Sequence, residues 1–92
     1  MSITKKDYFK NQYLEFKTEL NKVITTDFMP SIDTLDIYDI IYFFNYKFGD
    51  IKDYNPVIIE LLISNNIQIT EQQFHQLLPI FNIYINRFKS VL

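Results

Sequence analysis

The chain has no cysteine, no tryptophan and no alanine, and it contains only one glycine, one histidine (His75) and one arginine (Arg87). Without cysteine it can form no disulfide scaffold, no cysteine-ligated zinc site and no thiol nucleophile. A single glycine excludes the glycine-rich loops that bind phosphate groups. Together these absences favour a protein that acts by binding rather than by catalysis.

The 92 residues, of which 48% are hydrophobic, suffice for one domain, 1–92, with a buried core. Its Ile, Asn, Lys, Phe and Tyr content indicates an AT-rich coding source such as a bacterium, a phage or a mobile element. The first residues lack the apolar core of a signal peptide, and the uncharged stretch 61–70 contains polar residues and is too short to span a membrane. We therefore expect a cytoplasmic protein with no membrane partner.

The net charge of −2 hides a strong division along the chain. Residues 1–26 carry a charge of +2, residues 27–60 carry −5 and residues 61–92 carry +1. The small net charge argues against strong attraction to nucleic acid or to an anionic membrane. The middle third is an acidic block that also contains most of the tyrosines.

The first helix is marked by a cap and a long apolar stripe. Thr4 can cap it together with Asp7, and Ile3 can pack on Tyr8 as a hydrophobic staple. Apolar residues then recur at helical spacing to about Thr25.

The second helix is expected to start at Ser31 or Asp33 and to end at Gly49 in a left-handed conformation. One arc of this helix should face the core: Ile37, Ile40, Ile41, Phe44 and Phe48. The other side is also aromatic, with Tyr38 at its flank: Asp39, Tyr42, Phe43 and Tyr46. Because aromatic stripes at helical spacing are usually core, we expect both faces to be covered, and a partner-binding face is the alternative.

The third helix should begin with Asn55 as its N-cap, followed by Pro56, and end at residues 65–66, where either asparagine can adopt a left-handed conformation. The β-branched segments 57–59 and 67–69 could also form strands. The helix caps on either side favour the helical interpretation.

The fourth helix opens with a capping box of Thr70 and Gln73, and its helical spacing continues to Leu92. Pro79 lies away from the apolar stripe and should kink this helix without interrupting its core face. Short connections favour antiparallel neighbours. The sequence therefore predicts an all-α fold, a compact antiparallel four-helix bundle with its last helix kinked at Pro79.

Candidate catalytic and metal-binding groups are few. His75 has only Glu71 as a local partner, and we expect it at the surface or at the core boundary. Carboxylates recur at a three-residue spacing that lacks the pattern of a calcium loop: Asp33, Asp36, Asp39, Asp50 and Asp53. Aspartates also stabilise helix N-termini. We expect no enzyme, no metal site and no cofactor.

Lysines on the first helix raise the question of nucleic-acid binding, since Lys6, Lys10 and Lys17 share one flank and Lys5 precedes them. Reading of bases relies on Arg, Asn and Gln on a recognition helix, and the chain has a single arginine. A solvated helix face explains these lysines better, so we expect no direct nucleic-acid contact.

The acidic block combines carboxylates with tyrosines. Tyrosine is enriched in the energetic centres of protein interfaces, and surrounding carboxylates would attract a basic partner. The candidate partner-binding residues are Asp36, Asp39, Tyr42, Tyr46, Asp50, Asp53 and Tyr54.

In size, composition and this acidic, tyrosine-rich block, the chain resembles the small helical immunity proteins that bacteria pair with toxins. Colicin nuclease immunity proteins are similar in their helices and paired acid and tyrosine residues, although the segment 53–56 does not reproduce their motif. The resemblance implies that the chain neutralises a basic toxin, such as a nuclease domain, by occluding it. The same profile fits a phage or mobile-element inhibitor of a host enzyme, and a self-associating helical module remains a third hypothesis.

Overall fold

The computed structural model describes residues 4–90, which form four α-helices and no strand within that range. The helices are α1 (Lys5–Asn21), α2 (Ile37–Phe48), α3 (Asn55–Ser64) and α4 (Glu71–Lys89). The predicted all-α four-helix bundle is confirmed. The predicted contributions of Ile3 and Leu92 lie outside the described residues.

Two helices begin at the predicted caps. The Thr4 hydroxyl accepts a hydrogen bond from the Asp7 amide at 3.1 Å. At α4, the Thr70 hydroxyl accepts from the Gln73 amide at 3.1 Å, and the Gln73 side-chain oxygen accepts from the Thr70 amide at 2.9 Å. This reciprocal pair is the predicted capping box, which satisfies two otherwise unpaired amides. The helix continues without interruption through the exposed Pro79, and the bend there stays a prediction.

Two helix starts differ from the prediction. α2 begins after Asp36 rather than at Ser31 or Asp33, because the Asp36 carboxylate accepts from the Tyr38 amide at 2.8 Å. At α3, Asn55 is already helical, and the preceding carboxylate of Asp53 accepts the Asn55 amide at 3.1 Å. Several residues before each helix can cap, and the sequence alone does not decide which one does.

Of the two predicted helix ends, one is confirmed and the other is wrong. Asn66 adopts the left-handed conformation (φ 56°) after α3, and the Ile67 amide donates to the Leu62 carbonyl at 2.9 Å, as a Schellman motif requires. Gly49 is right-handed (φ −55°), so its predicted role as a left-handed terminator is wrong. A Cβ atom there would lie against the Asn45 carbonyl oxygen and 2.9 Å from the Asn45 side-chain oxygen. Close approach therefore explains this glycine.

Ring contacts define how the helices run. Phe9 meets Phe88 at a centroid distance of 4.8 Å and Phe16 meets Phe81 at 5.2 Å, so α1 and α4 are antiparallel. Phe44 also meets Phe88, and Phe48 meets Phe81, in the same reversed order. α2 is therefore antiparallel to α4 as well, and α1 and α2 run in the same direction. The prediction that neighbouring helices are antiparallel is wrong for α1 and α2, because the connection of residues 22–36 between them is long.

The connection of residues 22–36 makes that arrangement possible by returning alongside α1. The Tyr13 hydroxyl donates to the Pro30 carbonyl, and the Lys17 ammonium lies 2.8 Å from the Asp27 carboxylate. The apolar stripe of α1 extends past the end of the helix at Asn21, since Ile24 is buried as well. The chain thus starts α2 at the same end of the bundle as α1.

The core is aromatic at its centre. Phe44 of α2 packs against Phe9, Tyr13 and Phe16 of α1 and against Phe88 of α4, with centroid distances of 4.8–6.2 Å. Within residues 4–90, no buried side-chain polar atom lacks a hydrogen-bond partner. No helix of this described part of the chain is long and apolar enough to cross a membrane.

Candidate functional site

The outer face of α2 carries three solvent-exposed tyrosines. Tyr38, Tyr42 and Tyr46 expose 62%, 70% and 74% of their surface, and they follow one another at a spacing of one helical turn. The rings of Tyr42 and Tyr46 stack with their centroids 6.4 Å apart. We call these three residues the tyrosine ridge.

The tyrosine ridge overturns the expectation that both faces of α2 are covered. α1 and α4 pack on the arc that contains Ile37, Ile40, Phe44 and Phe48, all of which are buried. Phe43 and Ile41, at the edges of that arc, are half-buried. An exposed row of large aromatic side chains is a frequent mark of an interaction surface.

Carboxylates adjoin the tyrosine ridge at both ends of α2. Asp36 and Asp39 are exposed at the start of the helix, and Asp50 is exposed just after its end. Asp36 also caps the helix, whereas Asp39 lies in the first turn, where a negative charge is favoured by the helix dipole. These three predicted residues are therefore exposed on, or directly beside, the helix that carries Tyr42 and Tyr46.

Lysines also contact the tyrosine ridge, which the division of charge along the sequence did not predict. The Lys6 ammonium lies 4.9 Å from the centroid of the Tyr38 ring, and the Lys47 ammonium lies 5.9 Å from that of Tyr46. Lys47 is also 3.6 Å from the Glu60 carboxylate. Cations over aromatic faces are weakly attractive at exposed sites. The surface is consequently mixed in charge rather than uniformly acidic.

The last two predicted residues have different surroundings. Asp53 is exposed and binds the Asn55 amide. Tyr54 is only 5% exposed, its hydroxyl donates to the Asn86 side-chain oxygen at 3.0 Å, and its ring meets the edge of Phe48. The prediction that Tyr54 contributes to an exposed binding face is therefore wrong, because the ring packs into the core and the hydroxyl is bonded to a side chain of α4.

A groove between α1 and α2 was missed by the sequence-based prediction. It has a volume of about 500 Å³ and is lined by Lys5, Lys6, Phe9, Tyr38, Ile41, Tyr42 and Asn45. For the lysines of this wall, the sequence predicts only a solvated helix face. No sequence signal places them beside the tyrosine ridge, because that contact depends on the parallel course of α1 and α2.

The remaining ionisable candidates are His75 and Arg87. His75 is exposed, and its Nε2 atom lies 3.6 Å from the Glu71 carboxylate. Within residues 4–90, no three His, Cys, Asp or Glu side chains gather where they could hold a metal ion. The single arginine, Arg87, donates to the Gln12 side-chain oxygen at 2.9 Å and so connects α4 to α1.

Comparisons with known proteins identify no relative of the chain. No family model, curated protein or solved structure matches the chain. The resemblance to immunity proteins therefore stays a prediction, and the exposed surface of α2 carries the functional proposal.

Proposed function

We propose that the protein is a non-catalytic inhibitor that binds a protein partner through the tyrosine ridge and the neighbouring aspartates. The observation that carries this proposal is the exposure of Tyr38, Tyr42 and Tyr46 in a chain whose other aromatic residues mostly fill the core. Tyrosines supply a large contact area at a low cost in conformational entropy, and they are enriched among residues that dominate binding energy.

The partner proposed is a basic bacterial toxin, such as a nuclease domain, and the protein would be its cytoplasmic immunity protein. Asp36, Asp39, Asp50 and Asp53 are all exposed. Their carboxylates would pair with the cationic groups that a nuclease uses for substrate phosphates, and they would accelerate the encounter. Inhibition would then be steric and electrostatic, without a cofactor, a metal or direct contact with nucleic acid.

Affinity capture from the source cell tests this proposal with matched variants. Asp39→Lys and Tyr42→Ala alter the proposed surface. Glu71→Lys is the charge control, because Glu71 is also an exposed acidic residue in the first turn of a helix. Tyr8→Ala is the aromatic control, since Tyr8 is exposed on α1 outside the tyrosine ridge.

The wild type and both controls should retain one basic partner, whose activity the wild type abolishes at equimolar concentration. Loss of an interface tyrosine of this kind costs about 2 kcal/mol or more, so Tyr42→Ala should bind about 30-fold more weakly. Equal capture by all five proteins would contradict the proposal. A stable homodimer that protects the tyrosine ridge, seen by light scattering and hydrogen exchange, would instead support a self-associating module.

A partner that proves to be a host enzyme rather than a toxin would favour the inhibitor of phage or mobile-element origin. The two alternatives share the same surface. The genes beside the coding sequence separate them, because a neighbouring toxin gene indicates immunity and neighbouring phage genes indicate the inhibitor.

A further inference from the structure

The groove between α1 and α2 has an apolar floor and a polar rim. Phe9 is fully buried beneath it and Ile41 is half-buried. The exposed rings of Tyr38 and Tyr42 form one wall, and the exposed side chain of Asn45 supplies an amide that can donate and accept hydrogen bonds. Its volume of about 500 Å³ is within the range of about 300–1,000 Å³ that is typical of ligand pockets.

The opposite wall is cationic. Lys5 and Lys6 are exposed there, and no carboxylate side chain lines the groove. Within residues 4–90, the lysines paired with carboxylates are Lys17, Lys22 and Lys47. The two ammonium groups of the groove thus have no acidic partner in the described part of the chain, and Lys6 is held against the Tyr38 ring instead.

The tyrosine ridge lies between the cationic groove and the exposed carboxylate of Asp39. On the helical wheel of α2, Ile41 and Asn45 lie on the groove side of Tyr42, whereas Asp39 lies on the other side. A ligand that enters the groove meets apolar surface, aromatic rings and ammonium groups. The nearby Asp36 and Asp39 would repel a continuous polyanion such as a nucleic acid. Charge complementarity favours a short ligand with carboxylates next to apolar side chains.

We infer that the groove binds an extended peptide segment of a protein partner in which acidic residues flank apolar or aromatic ones. The peptide carboxylates pair with Lys5 and Lys6, an apolar side chain lies over Phe9 and Ile41, and Asn45 hydrogen-bonds the peptide backbone. This inference goes beyond the proposed inhibition, since it concerns the basic flank and does not require the partner to be a toxin.

NMR titration of the full chain, labelled with ¹⁵N, tests the inference with two tetrapeptides. The acidic probe is acetyl-Asp-Leu-Phe-Asp amide, and the matched basic probe is acetyl-Lys-Leu-Phe-Lys amide. The acidic probe should shift the backbone amides of Lys6, Phe9, Tyr42 and Asn45. The acidic probe can form two exposed ion pairs that the basic probe cannot. The basic probe should therefore bind the groove about 10-fold more weakly.

Charge reversal on α1 supplies the second arm. The Lys5→Glu/Lys6→Glu variant should reverse the preference between the two peptides. The control Lys10→Glu/Lys22→Glu makes the same change in net charge at exposed positions of the same helical region outside the groove, and it should keep the wild-type preference. Both variants should fold, because the substituted residues are exposed, and circular dichroism verifies this.

Three results would overturn the inference. They are equal affinity for the two peptides, a preference for the acidic peptide that survives Lys5→Glu/Lys6→Glu, and the absence of groove shifts at 10 mM peptide, a concentration at which even affinities of about 1 mM would be visible. The titration needs no cellular partner, so either experiment can fail while the other succeeds.

Discussion

Replacing Tyr13 with phenylalanine tests how the connection of residues 22–36 is held to α1. The Tyr13 side chain is fully buried, and its hydroxyl donates a hydrogen bond to the carbonyl of Pro30. The ring packs between Phe9 and Phe44, and phenylalanine preserves that packing. The substitution therefore removes the hydrogen bond without leaving a large cavity.

We expect Tyr13→Phe to lower the free energy of unfolding by about 1 kcal/mol at pH 8. A typical intramolecular hydrogen bond contributes about 0.5–1.5 kcal/mol, and a buried carbonyl left without any donor costs about 1–3 kcal/mol. Pro30 is only half-buried, and the Lys17 ammonium lies 3.5 Å from its carbonyl oxygen. Because this carbonyl keeps a second donor, the lower range applies.

The same substitution should change how stability depends on alkaline pH. Burial, and secondarily the nearby Asp27 carboxylate, raises the pKa of Tyr13 above its ordinary value of 10.0. Above pH 10 the unfolded chain releases this proton while the native protein keeps it, so the unfolded state binds fewer protons and stability falls. The contribution of Tyr13 is fully present below pH 10 and decreases above it, by up to about 1.4 kcal/mol per pH unit.

Urea unfolding followed by circular dichroism at pH 8, 10 and 11 measures both effects. The difference between the wild type and Tyr13→Phe should close between about pH 10.5 and 11, where the linkage energy reaches about 1 kcal/mol. Tyr42→Phe is the matched control, since Tyr42 is 70% exposed and its hydroxyl has no hydrogen-bond partner within residues 4–90. A wild-type midpoint for Tyr13→Phe at pH 8, or a difference that stays constant to pH 11, would refute the reasoning.

Substitutions at three further positions, Thr70, Gly49 and Phe44, test the helix caps and the core by the same unfolding measurement. Thr70→Ala removes half of the capping box and should cost about 1 kcal/mol, whereas Thr26→Ala in the exposed connection should leave the midpoint unchanged. Gly49→Asn should destabilise as Gly49→Ala does, by about 1–3 kcal/mol from crowding; a stable Asn variant would indicate a left-handed cap instead. Phe44→Ala should cost about 3–5 kcal/mol, and a loss below 1 kcal/mol would contradict its central position.

Local signals in the sequence predict the helices well because helix formation depends on nearby residues. Thr4, Thr70 and Gln73 cap through atoms three residues away, so their hydrogen bonds follow from spacing alone. Where several capping residues stand close together, as between Ser31 and Asp36, the choice depends on where the connection packs. The start of α2 was therefore predicted too early.

The candidate site was only partly predictable, and two tyrosines show why. Tyr42 and Tyr54 both lie in the acidic block with carboxylates nearby. Tyr54 is buried because Asn86 of α4 accepts its hydroxyl hydrogen bond and Phe48 packs on its ring. Tyr42 has no such surroundings and is 70% exposed. Nothing local distinguishes the two.

The sequence by itself determined that the chain is helical, that its core is rich in phenylalanine and isoleucine, and that acidic and tyrosine residues concentrate around α2. Periodicity and capping are short-range properties, so composition and spacing suffice for them. Only the tertiary structure decided that the outer face of α2 is exposed and that Lys5 and Lys6 lie beside it. Exposure and proximity depend on the connection of residues 22–36, which returns alongside α1 and so places α2 beside it. Contacts such as the hydrogen bond between Tyr13 and Pro30 hold this connection to α1.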